Sequence, residues 1–195
     1  MKIFKVLFLL SAVCLLTSCG VESEIQPGKE EISESTIPTD INSFTGDDYA
    51  TLPKEQLIPV RFKSHIDGDT TRFFINDYDV KVRYLLIDTP ETVKKGIDPH
   101  PYGLEASDRT KQLLTEAQKI EIMLDQGDPS DDYGRLLAYI FVDDQLIQEI
   151  LVREGLARIA YVNVPSVKYL QQLMTSQKQA EDAGIGIWSL AGNDD

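Results

Sequence analysis

Two cysteines, two histidines and one tryptophan are few for a chain of 195 residues. Both cysteines, Cys14 and Cys19, fall within the first twenty positions, so no disulfide staples anything further along. His65 and His100 have no cysteine nearby and are too few for a zinc cluster; they read as structural or surface side chains. The apolar run at 6–16 has eleven residues, where crossing a bilayer takes about twenty. Positive charge is also scarce. Lys and Arg number 19 against 32 Asp and Glu, for a net charge of −13. That balance counts against a polyanionic partner, because phosphate binding rests on Lys and Arg. Apolar content of 42% and charged content of 26% suit a globule, and the length allows one domain and a tail.

The first residues are a targeting signal. Lys2 and Lys5 precede the apolar run, which ends Leu16-Thr17-Ser18-Cys19-Gly20. Leu three places before a Cys, with Ser next to it, resembles the bacterial lipoprotein box, in which the Cys is lipidated and becomes the new N-terminus. The plainer alternative is a secretory signal whose Cys19 is incidental. If Cys19 carries lipid, Cys14 leaves with the peptide, and the mature chain lies on the extracytoplasmic face of a membrane, anchored there or shed from it. Residues 19–57 are rich in Glu, Ser, Thr and Pro and show no period, which reads as a disordered tether. Such a chain spans roughly 35 Å. Residues 58–195 hold 23 acids and 15 bases, a net charge of −8, so the domain is itself acidic.

Regular pattern begins at Ile58. Alternation at 59–66, 71–75 and 79–87, with Asn76-Asp77 as a turn, predicts three sequential antiparallel strands. Residues 103–117 read as a helix with Leu104, Ser107, Lys111 and Leu114 near one face. Strands are expected at 119–124 and 136–142, then a helix at 145–154 with Leu146 and Ile150 in its core stripe, stopped by Gly155. A short strand at 157–161 and a helix from Ser166, as its cap, to Ala183 complete the domain, with Gly184 at the end, Trp188 packing that helix on the barrel, and a tail at 191–195. Strands followed by mixed strands and helices suggest a small α+β barrel. No internal repeat is found.

The chemistry lies in the turns. His65-Ile66-Asp67-Gly68-Asp69-Thr70 joins the first two strands, and Asp-Gly-Asp there is either hairpin chemistry or a metal site. It is not an EF-hand loop, since the twelfth position is Tyr78. Asp88 and Glu91 flank Thr89-Pro90 at the end of an apolar run; Arg83 stands in the same strand, and Arg135 follows Asp131-Asp132-Tyr133-Gly134. Each feature has a bland reading as turn or snorkelling side chain. Together they supply two acids for a hard cation, one for a proton, and two guanidinium forks for a tetrahedral anion, a set that suits phosphoryl transfer. Strict alternation puts Arg83 and Asp88 on opposite faces, so an irregularity is expected between Leu85 and Asp88. Asp125, Asp128, Asp131 and Asp132 read as a solvated acidic loop, with a second cation site as the alternative.

Across 59–190 the chain resembles the staphylococcal nuclease (thermonuclease) family. The resemblance rests on Ile66-Asp67-Gly68-Asp69-Thr70, on Arg83-Tyr84-Leu85-Leu86-Ile87-Asp88-Thr89-Pro90-Glu91-Thr92, and on Tyr102-Gly103 with Glu105-Ala106-Ser107. It continues in Asp132-Tyr133-Gly134-Arg135, in Leu151-Val152-Arg153-Glu154-Gly155-Leu156-Ala157, in Ala160-Tyr161-Val162 and in Gly186-Ile187-Trp188. It implies an α+β fold, a five-stranded OB-fold β-barrel with three helices. It implies calcium-dependent cleavage of DNA and RNA by a monomer, leaving 3′-phosphates. By position, Asp69, Asp88 and the Thr89 carbonyl would hold Ca²⁺, Glu91 would activate water, and Arg83 and Arg135 would clamp the phosphate. Tyr133 and Tyr161 match base-packing positions, although a rim Tyr is as readily half-buried core. Two positions depart from the pattern: Asp132 and Asn163 stand where a familiar member has Lys and a second Tyr, and both weaken the grip on a nucleotide. The alternatives are a catalytically silent OB module that binds nucleic acid, or a surface lipoprotein for an acidic or sugar ligand. The latter leaves two acids beside two Arg unexplained.

Overall fold

The first strand bends at Val60, and that bend closes the barrel. In the computed structural model, which describes residues 41, 44–46, 48–92 and 100–190, β1 (Ile58–Pro59) and β2 (Arg61–His65) are two halves of one strand. β3 (Thr70–Ile75), β4 (Tyr78–Tyr84) and β5 (Ile87–Asp88) follow, then α1 (Gly103–Glu116), β6 (Ile120–Met123) and β7 (Leu136–Val142). β8 (Gln145–Leu146), α2 (Ile147–Arg153), β9 (Arg158–Ile159) and α3 (Leu170–Ala183) complete the order. β1 pairs with β6 and β2 with β3, along the path β1-β6-β7-β4-β3-β2, so the sheet returns to its starting strand. Counting β1 and β2 as one, five strands enclose the core. With three helices this is the expected α+β OB-fold barrel. The β2-β3-β4 meander is antiparallel, as alternation predicts, and β4 meets β7 in parallel through Arg83↔Leu137.

Alternate residues of β3 and β4, Phe73, Ile75, Val80 and Val82, are buried together with Ile122, Leu136 and Ile140. β7 is covered on its other side by α2, whose buried Gln148 accepts from the Ile140 N–H at 3.2 Å and donates to the Ala138 carbonyl at 3.1 Å. Leu146 and Ile150 are core, as expected.

Four expectations change. The tether does not run to 57: Ile41, Phe44 and Leu52 are buried in the core. Phe44 lies edge-on to Tyr78 at 5.6 Å, the Asn76 amide donates to the Ile41 carbonyl at 2.8 Å, and Lys54 Nζ donates to the carbonyls of Gln126 and Gly127. The few apolar residues of this polar stretch find partners far along the chain. The inner face of α1 is Gly103, Ala106, Ser107, Thr110 and Leu114, while Leu104 and Lys111 are exposed. Ser166 does not cap the last helix, which begins at Leu170; its N–H instead donates to the Asn163 carbonyl at 2.8 Å. Asp125 is buried rather than solvated, accepting from Tyr139 Oη at 2.7 Å and from the Lys168 N–H at 2.9 Å. The expected signal at 1–18, Cys19, positions 20–40 of the tether and the tail at 191–195 lie outside the described residues.

Candidate active site

The expected irregularity is present. β4 stops at Tyr84, Leu85 and Leu86 form a turn with Leu86 at φ +67°, and β5 resumes at Ile87. Both leucines are buried, so packing holds the unfavourable left-handed backbone in place. The turn resets the alternation and brings Asp88 back to Arg83. The Arg83 guanidinium then reaches both acids, with Nη1 3.1 Å from Asp69 Oδ2 and Nη2 3.5 Å from Asp88 Oδ1.

Asp69 is held from several sides. Its Oδ2 accepts from the Thr89 N–H at 2.9 Å and from Thr89 Oγ1 at 3.1 Å. The turn before it is pinned by Thr110, whose hydroxyl donates to the Gly68 carbonyl at 2.7 Å. A Cβ at Gly68 would sit 2.7 Å from Thr89 Oγ1, so only glycine lets the two turns approach this closely. At 6% exposure, burial pushes the Asp69 carboxyl up to about 6, although Arg83 and the Thr89 donors pull the other way. Desolvation wins because one shared guanidinium compensates less than the lost water. Arg83, 7% exposed, also donates to the Tyr84 carbonyl at 3.2 Å.

Glu91 is exposed and shares a cleft of about 820 Å³ with Asp69, Arg83, Asp88 and Arg135. Its backbone passes against the start of α1, where a Cβ on Gly103 would meet the Glu91 carbonyl at 2.7 Å. Arg135 is aimed by Asp131, which takes Nε at 2.7 Å and the backbone N–H groups of Arg135 and Tyr133 at 2.9 and 3.0 Å. Burial alone would raise the Asp131 carboxyl, but these donors hold it below the usual carboxylate range.

Tyr133 and Tyr161 are rim residues, not half-buried core. They are 84% and 67% exposed, with the Arg135 and Arg83 guanidinium carbons 5.4 and 5.3 Å from their ring centroids. All the residues singled out in the sequence for this site line the one cleft except Thr89, which lines an adjoining one. Two residues escaped the sequence reading. Asp131 was hidden in an acidic run, although an Asp four before Arg across a Gly turn could have marked it. Arg158, whose Nη2 lies 2.9 Å from Asp88 Oδ2, carries no local signal.

The donor set fits a hard cation. Two carboxylates and the Thr89 carbonyl, which accepts no hydrogen bond among the described residues, are oxygen ligands of the kind calcium takes. Burial costs the Asp69 carboxylate its water, and a cation beside it would offset that cost.

Residues 81–190 match the family model described as staphylococcal nuclease homologue. The chain is 38% identical over 198 residues to endonuclease YncB of Bacillus subtilis (strain 168), covering 96% of this chain and 93% of that one. It is 44% identical over 138 residues to the SPbeta prophage-derived endonuclease YokF of the same organism, but covers only 46% of that protein's length. To the thermonuclease of Staphylococcus hyicus it is 43% identical over 127 residues, 64% of this chain and 72% of that one.

Proposed function

Because this chain belongs to the staphylococcal nuclease family, we propose that it is an endonuclease that hydrolyses DNA and RNA with calcium, leaving 3′-phosphates. Nuclease activity is common to the named relatives; the choice of calcium, the products and the role of each residue are inferred from the site. The observation that carries the reading is the single guanidinium of Arg83 bridging Asp69 and Asp88 in the cleft that also holds Glu91 and Arg135.

Asp69, Asp88 and the Thr89 carbonyl would hold the cation, which when bound acts as a Lewis acid on the phosphoryl oxygens. Glu91, exposed in the cleft, takes the proton from the attacking water, a contribution of about 10²–10⁴-fold. Arg83 and Arg135 hold the phosphate and stabilise charge building on its equatorial oxygens. Both must be Arg, since a planar fork that keeps its charge can grip two oxygens at once. Tyr133 and Tyr161 offer exposed rings to bases. Asp132, which lines the same cleft, repels phosphate, and the net charge of −8 on residues 58–195 slows association with a polyanion. Binding therefore leans on stacking more than on ion pairing. A log–log salt slope near that of a six-phosphate contact protein would contradict this balance.

The test is cleavage of single-stranded DNA by the purified protein, with calcium and with chelator. Cleavage should need calcium and should be lost in Glu91→Gln and Arg135→Ala with the fold retained. Full activity in those variants would overturn the assignment.

We also propose that Cys19 carries lipid and holds the nuclease on the outer face of the membrane. Among the described residues no helix is long and apolar enough to cross a bilayer. One acyl chain anchors only marginally, so stable retention calls for more than one. Mass spectrometry of the N-terminal peptide should show a diacyl or triacyl Cys; an unmodified mature N-terminus would refute the anchor.

A further inference from the structure

A second cleft, of about 400 Å³, opens beside the first. Asp88, Glu91 and Tyr161 line both, so the two meet at the reacting centre. The other walls of the second cleft include Arg158, His100, Pro101 and Ile187. Neither Arg83 nor Arg135 reaches it.

Arg158 is the cation of this cleft. Its side chain is 62% exposed, and one nitrogen lies 2.9 Å from Asp88 Oδ2. A guanidinium has five N–H donors in a fixed fork, and no other partner of Arg158 is found among the described residues. Most of the fork is therefore free for an anion in the cleft. Tyr161 forms the shared wall at φ +52°, a backbone conformation costly for an aromatic residue, and it keeps its ring in solvent against Arg83. Exposed aromatic surface held at such a cost is not explained by packing.

We propose that this cleft is the subsite for the nucleotide on the far side of the scissile phosphate, with Arg158 taking the next phosphate and Tyr161 dividing the two nucleotides. This inference rests on the phosphodiesterase reading. An enzyme that cuts within a strand must hold nucleic acid on both sides of the reacting phosphorus. The large cleft holds one side between Tyr133 and Val164; the second cleft is the adjoining concavity that shares Glu91 with it and presents a cation. The occupant is the same nucleic acid strand, recognised by phosphate charge and by base contact with proline and aliphatic surface.

The experiment compares three substrates with the purified full chain: an eight-nucleotide single-stranded DNA and two nucleoside nitrophenyl phosphate esters, linked at 3′ and at 5′. Each ester has a nucleoside on one side of the phosphorus only. In Arg158→Ala, kcat/KM for the DNA should fall about tenfold more than for either ester, since neither ester carries the next phosphate, and about tenfold is the size of a lost hydrogen bond to a charged group. The salt slope of KM for the DNA should drop by about 0.7, one single-strand phosphate contact, and Arg158→Lys should recover part of the loss. Equal losses on all three substrates would show that Arg158 acts only by orienting Asp88, and no loss would show that the cleft is unused; either overturns the proposal. If the unaltered protein cleaves none of them, the phosphodiesterase reading itself falls, and the subsite with it.

Discussion

Phe44→Ala tests whether the polar segment before the barrel is part of the domain. Phe44 is 2% exposed, with Tyr49 stacked at 6.0 Å and Tyr78 edge-on at 5.6 Å. Truncating a buried Phe costs about 3–5 kcal/mol, from lost transfer energy and the cavity left behind. Tyr78 is partly exposed and can settle into the gap, so the lower end, about 3 kcal/mol, is expected here. The assay is urea unfolding of the full chain, followed by the fluorescence of its one tryptophan, Trp188. The midpoint should fall at an unchanged slope, since nearly the same surface is exposed on unfolding. A loss below about 1 kcal/mol would mean that 41–57 is tether after all. A chain cut at Leu57 also loses Ile41 and Leu52, a combined cost comparable with the whole 5–15 kcal/mol stability of an ordinary domain, so it should unfold.

Other outcomes follow from the same contacts. Asp131→Asn removes the carboxylate charge that faces Arg135 Nε; kcat/KM should fall about tenfold while the melting temperature moves little. Gly103→Ala puts a methyl 2.7 Å from the Glu91 carbonyl, so calorimetry should show a loss of about 1–3 kcal/mol, with activity falling as Glu91 shifts. Arg72 first, then Lys63, holds the Asp79 carboxyl down at about 2, well below the usual carboxylate range. A depressed acid stabilises the fold above its unfolded pKa and loses that effect as pH falls through the folded value. The stability gap between the protein and Asp79→Asn should therefore be constant above about pH 5 and close between about pH 4 and 2. A gap independent of pH would show that the pairing contributes nothing.

The barrel was legible because its signals are local. The apolar run at 136–142 and the Asn76-Asp77 turn depend on neighbours in sequence, and β7 and the β3-β4 hairpin fall where they place them. So does the break before Asp88, which follows from needing Arg83 and Asp88 at one point. What escaped depends on distant partners. Phe44 is core because of Tyr78, and Asp125 is buried because Tyr139 and the Lys168 N–H reach it. The inner face of α1 is built from Gly103, Ala106 and Thr110, small residues that hydrophobicity scoring passes over in favour of exposed Leu104. Arg158 is invisible in sequence because nothing near it marks its partner, Asp88, seventy positions earlier.

The most direct test is the calcium dependence of single-stranded DNA cleavage in the unaltered protein, Asp69→Asn and Asp88→Asn. Each substitution removes one charged ligand, so half-saturation should need at least tenfold more calcium in each variant, with circular dichroism unchanged. Unchanged half-saturation in both would mean that these carboxylates hold no cation.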